Sequence, residues 1–232
     1  MLKLKFTAFK PVDDPELSDR YLTGHTRVLE DYGITNITSN NRVWLEMPCI
    51  YGVVAQNEEG ELVGGIRVQM ADGVHPLPVE KAVGHMDARI HDVVKRYYEN
   101  GVGELSALWN AKSVAGYGIS VLLTRAGISI TNQFQCNTLV GICGDYTLEM
   151  FKNVGFVVDN SLGSNGEFFY PKQDFIARVL GILNSSNLET AETENRARML
   201  DLRNNPVQRF IETGPKGPVE IEYNLIIPPK DK

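Results

Sequence analysis

The chain has 232 residues, 23 Lys and Arg against 29 Asp and Glu, a net charge of −6 and 43% hydrophobic residues. That length predicts one large domain, or one with an appendage, burying about 70% of its unfolded surface on folding, so no metal or disulfide is needed to hold it. The acidity argues against a nucleic-acid binder, no run of 18 apolar residues is present to span a bilayer, and three cysteines, Cys49, Cys136 and Cys143, point to free thiols in a reducing, cytoplasmic setting.

Leu2, Leu4 and Phe6 alternate with Lys3, Lys5 and Thr7, which predicts a half-buried first strand and no signal peptide. Asp13-Asp14-Pro15-Glu16 puts acids and a proline where a helix starts. Leu17, Tyr21, His25, Val28 and Tyr32 follow at helical spacing, up to Gly33. Residues 34–47 show no period and predict a loop. Ile50–Gln56 and Leu62–Met70 are apolar runs around Asn57-Glu58-Glu59-Gly60, a hairpin. Residues 79–98 predict one helix, carried by Ile90, Val93, Val94, Tyr97 and Tyr98.

A strand over 102–109 then leads through Ala115-Gly116-Tyr117-Gly118 into a long helix with Ile119, Leu122, Leu123, Ala126, Ile130 and Phe134 on one stripe. A strand over 137–143, a short helix over 146–153 and strand pieces at 156–158 and 167–170 follow. Past Pro171 the composition changes. Residues 174–183 predict a helix, and residues 189–203 a second one, polar on every side, hence an arm or surface helix. Val219–Ile227 alternates as a final strand that needs a sheet partner, either the core or a second subunit, which leaves a homodimer open.

Two segments carry a family resemblance. One is Gly103-Glu104-Leu105-Ser106-Ala107-Leu108-Trp109-Asn110 with the following Gly116-Tyr117-Gly118 and long helix. The other is Tyr146-Thr147-Leu148-Glu149-Met150-Phe151-Lys152-Asn153-Val154-Gly155-Phe156. Residues 1–170 resemble the GNAT superfamily of acyl-CoA-dependent N-acyltransferases. The resemblance implies an α/β (α+β) fold with a mixed, mostly antiparallel central sheet flanked by helices, and leaves residues 171–232 as a helix-plus-strand extension. It also implies acetyl-CoA or a longer acyl-CoA as co-substrate, bound by Leu108, Trp109 and Asn110 of the strand and by Lys112, Ser113, Val114, Ala115, Gly116, Tyr117, Gly118 and Ile119 of the turn. The physics agrees: glycines permit φ > 0 and close approach, and the helix they open offers N–H groups and a positive dipole end to a pyrophosphate. An acidic protein can therefore hold an anionic ligand without a basic patch.

Within the superfamily, Glu104-Leu105-Ser106-Ala107-Leu108 is similar to the Glu-x-Ser-Arg strand of acyl-homoserine-lactone synthases and long-chain N-acyl amino acid synthases, with Ala107 in place of Arg. Ser113 replaces the superfamily's Gln or Arg, and Phe151 its usual tyrosine acid. The implied reaction is attack of an amine, on a small molecule or amino acid, upon the thioester. Glu104 is the expected base, Tyr146 the expected acid, and a backbone N–H near Leu108–Asn110 the oxyanion donor. Two other readings stay open: a long-chain synthase fed by acyl carrier protein, and a non-catalytic ligand-binding module. His85, Asp87, His91 and Asp92 read as a solvated helix face, since only Asp87 and His91 fall at i, i+4, so no metal is expected. Cys143 reads as a structural thiol, and Trp44, Tyr51 and Trp109 as pocket or core.

Overall fold

The computed structural model describes residues 1–31, 33 and 42–229. In chain order the elements are β1 (Leu2–Phe9), α1 (Pro15–Asp31), β2 (Ile50–Gln56), β3 (Leu62–Met70), α2 (Pro78–Val83), α3 (Arg89–Tyr97), β4 (Val102–Asn110) and α4 (Ile119–Ser129). They continue with β5 (Thr138–Gly144), α5 (Asp145–Asn153), β6 (Val157–Val158), β7 (Glu167–Phe169), β8 (Ile176–Ile182), α6 (Thr193–Asn204), β9 (Val207–Gly214) and β10 (Gly217–Asn224). Most of the loop expected at 34–47, and the Tyr32 position of the α1 stripe, lie outside the described residues; Val43–Glu46 form one 3₁₀ turn.

All ten strands join one sheet in the order β6-β8-β5-β4-β3-β2-β1-β10-β9, with β7 also on β8. Pairing is antiparallel except between β1 and β10 and between β4 and β5. Strand alternation sends successive side chains to opposite faces. Val53 therefore packs in the core under α4 and α6, and Val54 in the one under α1 with Trp44 and Trp109. A third cluster seats α2 and α3 on Val102, Val140 and Val179.

Three expectations are corrected. Residues 174–183 form strand β8, not a helix. Its apolar residues lie on both faces, Val179 in the cluster with α2 and α3 and Leu180 and Ile182 in the one with α4, so the run, broken by Arg178 and Gly181, shows no alternation and does not distinguish a buried strand from a buried helix. The single helix expected over 79–98 is two, α2 and α3, broken after Gly84, the C-cap of α2. The all-polar helix is neither arm nor free surface: α6 packs on α4 with Asn195, Arg198, Met199 and Leu202 buried. Its buried face is polar because its partner is a charge network. Glu212 of β9 takes Arg198 Nε at 2.8 Å, Arg125 Nη1 at 3.2 Å and the Tyr223 hydroxyl at 2.9 Å. Strand pairing crosses residue 170 in both directions, through β8 on β5 and β10 on β1.

Candidate active site

The parallel ladder of β4 and β5 is short. It pairs Val102 with Thr138, Gly103 with Leu139 and Glu104 with Val140, and then the strands part. On its other edge β4 stays on β3, but the register slips by one between Gly65 and Arg67. The extra residue is absorbed at Ala107, whose φ of 51° is a left-handed conformation that costs an L-residue about 1–2 kcal/mol. The Tyr21 hydroxyl fixes this bulge by donating to the Ala107 carbonyl at 2.5 Å. Tyr21 is itself held edge-on by Trp44 and Trp109. A bulge bends its strand and re-aims side chains, and this one lies where β4 has lost β5. A cavity of about 190 Å³ fills the fork.

Glu104 stands at the crotch of the fork, the last paired residue, and is 1% exposed. Its Oε2 accepts the Val79 N–H, in the first turn of α2, at 2.6 Å. Burial pushes its carboxyl up to about 8, against the lowering effect of that hydrogen bond and of Arg67. Across the fork stand Cys143 and Tyr146. Burial holds the Cys143 thiol up at about 11, so at neutral pH it is protonated and inert as a nucleophile. Tyr146 is 79% exposed, with its ring beside Gly144 at the cavity mouth.

The structure thus brings Glu104, Leu108 and Tyr146 to one cavity, and not the rest of the predicted set. Trp109 points to the α1 face. Asn110 accepts the Ser120 hydroxyl at 2.5 Å. Lys112 pairs with Asp31 at 3.0 Å, Val114 and Ile119 are buried, and Ser113 and Ala115 are exposed. Gly116 and Gly118 have φ of 85° and 76°, with Gly118 the N-cap of α4.

What closely approaches these glycines is the turn between β9 and β10. The Lys216 N–H donates to the Gly116 carbonyl at 2.9 Å, and a Cβ on Gly116 would meet the Lys216 side chain at 2.8 Å. The Lys216 ammonium lies 5.9 Å from the Tyr117 ring centre and has no ion pair among the described residues. The extension therefore delivers a cation to the glycine turn.

Two further residues belong to the site, and a third lies beside them. His25 and Ser106 line the cavity, and Arg67, fully buried on β3, stacks 4.4 Å over Trp44. His25 was legible only as a member of an apolar helical stripe, and Ser106 as the residue two beyond Glu104. Arg67 had one signal, the single charge in an otherwise uncharged strand. Among the described residues no three His, Cys, Asp or Glu side chains converge; Asp87 pairs with Arg89, and His91 with Glu80.

The sheet that forks between β4 and β5, the bulge beside the fork and the glycine turn into α4 make this a GNAT fold. Among solved structures the chain is similar to FeeM, an N-acyl amino acid synthase from uncultured soil microbes, at TM-score 0.60 and 15% identity over 77% of this chain and 97% of that one. It is also similar to BjaI, a CoA-dependent acyl-homoserine lactone synthase solved with SAM and isopentyl-CoA, at 0.57 and 12% over 96% of both chains. A third is an acyl-CoA N-acyltransferase from Pseudomonas aeruginosa, at 0.51 and 14% over 77% of this chain and 98% of the other. No protein-family profile matches the sequence, and no curated protein does. Among the described residues, no helix is long and apolar enough to cross a membrane.

Proposed function

We propose that the protein transfers an acyl group from acyl-CoA to the amine of a small molecule or amino acid, by direct attack on the thioester. One observation carries the reading: a carboxyl group buried at the point where β4 and β5 part, beside a mostly apolar cavity. Beyond Glu104 the facing edges of the two strands have no strand partner across the gap among the described residues, so an extended pantetheine arm would complete the broken ladder. Gly116–Ile119, with Lys216 and Lys112, would meet its phosphates at the N-terminus of α4.

Glu104 takes a proton from the acceptor's ammonium, directly or through one water, and frees the lone pair that attacks the carbonyl carbon. A base that titrates near 8 suits this proton transfer, being far more basic than an exposed carboxylate yet ionised in a useful fraction at physiological pH. Main-chain N–H groups of Leu108–Asn110 stabilise the negative charge that builds on the carbonyl oxygen. The carbon–sulfur bond then breaks, and the Tyr146 phenol at the mouth, or water, returns a proton to the sulfur.

A second donor is favoured by one observation. The Lys216 side chain covers Gly116 and narrows the room for a nucleotide, which acyl carrier protein, with a phosphopantetheine alone, does not need. Titration calorimetry with acetyl-CoA, longer acyl-CoAs and acyl carrier protein distinguishes the two. Binding of acyl-CoA supports the first reading, binding of the carrier protein alone supports the second, and binding of neither leaves a non-catalytic module.

A further inference from the structure

One edge of the sheet is β9, and it lacks the devices that keep strand edges apart. β9 pairs with β10 along its whole length, from Gly214 on Gly217 to Val207 on Asn224, without a bulge. It ends the strand order, with no further strand beyond it among the described residues. Exposed edges are commonly guarded by lysine, proline, a bulge or shortness. Val207–Gly214 is eight residues long and holds neither lysine nor proline, and its one exposed charge, Arg209, is tied to Glu222 at 2.7 Å. Three large apolar side chains stand open on it, Val207 at 59%, Phe210 at 43% and Ile211 at 56% exposure.

The main chain says what fits there. An antiparallel pair is bonded through every second residue. The Leu225 N–H donates to the Pro206 carbonyl at 2.9 Å, so the even-numbered residues of β9 are the ones bonded to β10. Val207, Arg209, Ile211 and Thr213 therefore point their N–H and C=O groups outward. A second copy, turned about a two-fold axis perpendicular to the sheet, meets all of these groups in a single register. Val207 then faces Thr213 of the second copy, Arg209 faces Ile211, and Phe210 faces Phe210. That register sets no two like charges opposite each other and covers all three exposed apolar side chains. The two Phe210 rings meet at a non-hydrogen-bonded position, where facing side chains are closest and an aromatic pair is favourable. A foreign strand could take the same main-chain groups, but this match of side chains is a property of β9 against itself.

We infer that β9 is a homodimer interface, at which two copies of the chain join their sheets edge to edge with Phe210 on the two-fold axis. The inference goes beyond the acyl-transfer reading and stands or falls independently of it. An interface built on one strand pair is small, so the dimer is expected to dissociate in the micromolar range, at about 1–50 μM.

Sedimentation velocity of the full chain from about 1 to 500 μM should show a monomer passing into a dimer. Ile211→Pro removes one outward N–H and leaves the pairing with β10 intact. It should weaken the dimer at least about tenfold while the protein keeps its circular dichroism and a cooperative melt. Phe210→Cys reads the register. Facing residues of a non-hydrogen-bonded pair have Cα atoms about 4.5 Å apart, within reach of a disulfide. Mild oxidation should therefore cross-link Phe210→Cys into a dimer, but neither the parent protein nor Gln208→Cys, whose facing residue is Glu212. A monomer at every concentration, a dimer undiminished in Ile211→Pro, or cross-linking no better in Phe210→Cys than in Gln208→Cys would overturn the inference. Should Ile211→Pro fail to fold, the two cysteine variants decide. A chain that stays monomeric yet binds extended peptides of unrelated sequence would show that the edge serves a foreign strand, and the second-copy reading would fail.

Discussion

In the proposed reaction Glu104 would tie reactivity and stability to one proton. Its ordinary carboxyl value of 4.5 is raised to about 8 by burial, so the folded protein holds a proton that the unfolded chain has released between those values. Stability from this group is therefore complete below about pH 4.5 and is lost as pH rises through 8, at about 1.4 kcal/mol for each pH unit between the two values. The proposed catalysis would run the other way, because only the ionised form accepts a proton. We expect kcat/KM to climb with pH to a plateau above about 8, and Glu104→Gln to lower kcat at least 100-fold. The same variant, neutral at every pH, should melt progressively higher than the parent protein as pH goes from 5 to 9. Rate profiles and thermal melts of the two proteins check both arms. An equal melting difference across that range would show that Glu104 titrates normally.

At the scale of elements, the turn between β9 and β10 and the network behind it join the extension to the proposed cofactor loop. A Cβ on Gly214 would sit 2.1 Å from the Tyr117 carbonyl oxygen, which is main chain and cannot swing aside. Gly214→Ala must therefore push the turn off the loop. The expected outcome is a CoA affinity weakened about tenfold with the fold retained, measured by calorimetry beside circular dichroism; unchanged affinity would mean that the turn takes no part in binding. The network itself balances one carboxylate against two guanidinium groups, all largely buried, at Arg125, Arg198 and Glu212. Removing Glu212 leaves Arg125 without an ion-pair partner among the described residues and Arg198 with Asp201 as its remaining carboxylate, and breaking a buried pair typically costs about 3–5 kcal/mol. Glu212→Ala is thus expected to lower the denaturation midpoint sharply, and Glu212→Gln, which retains hydrogen-bonding capacity, less so. Urea melts of the two variants give the comparison.

Across the whole molecule, the parts of the fold legible in the sequence are those whose signal is local. The β2–β3 hairpin, the stripe of α4 and the glycine turn are written in neighbouring residues, and the element order beneath the GNAT resemblance followed from them. What was not legible depends on partners distant in the chain. β8 has no alternation because both its faces are covered, and α6 has no apolar stripe because β9 brings it a carboxylate. The same division runs through the site. Glu104 stood out within a short motif, whereas His25 and Arg67 acquire meaning only when α1 and β3 are laid beside β4.

The extension completes the sheet, and its removal should show this. β10 runs parallel to β1 from Leu2↔Val219 to Thr7↔Asn224, and its Val219, Ile221 and Tyr223 are at most 1% exposed, packed against Phe6 and the α4 side of the core. Cutting the chain after residue 204 would expose the whole edge of β1, strip the cover from Phe6 and leave Arg125 without its carboxylate. An open apolar strand edge is a template for pairing with other chains. The truncated protein is therefore expected to lose cooperative melting and to aggregate, not to persist as a smaller soluble body. Size-exclusion chromatography and thermal melts of residues 1–204 against the full chain decide it, and a monomer with a sharp transition would show that the extension is an appendage the core does not need.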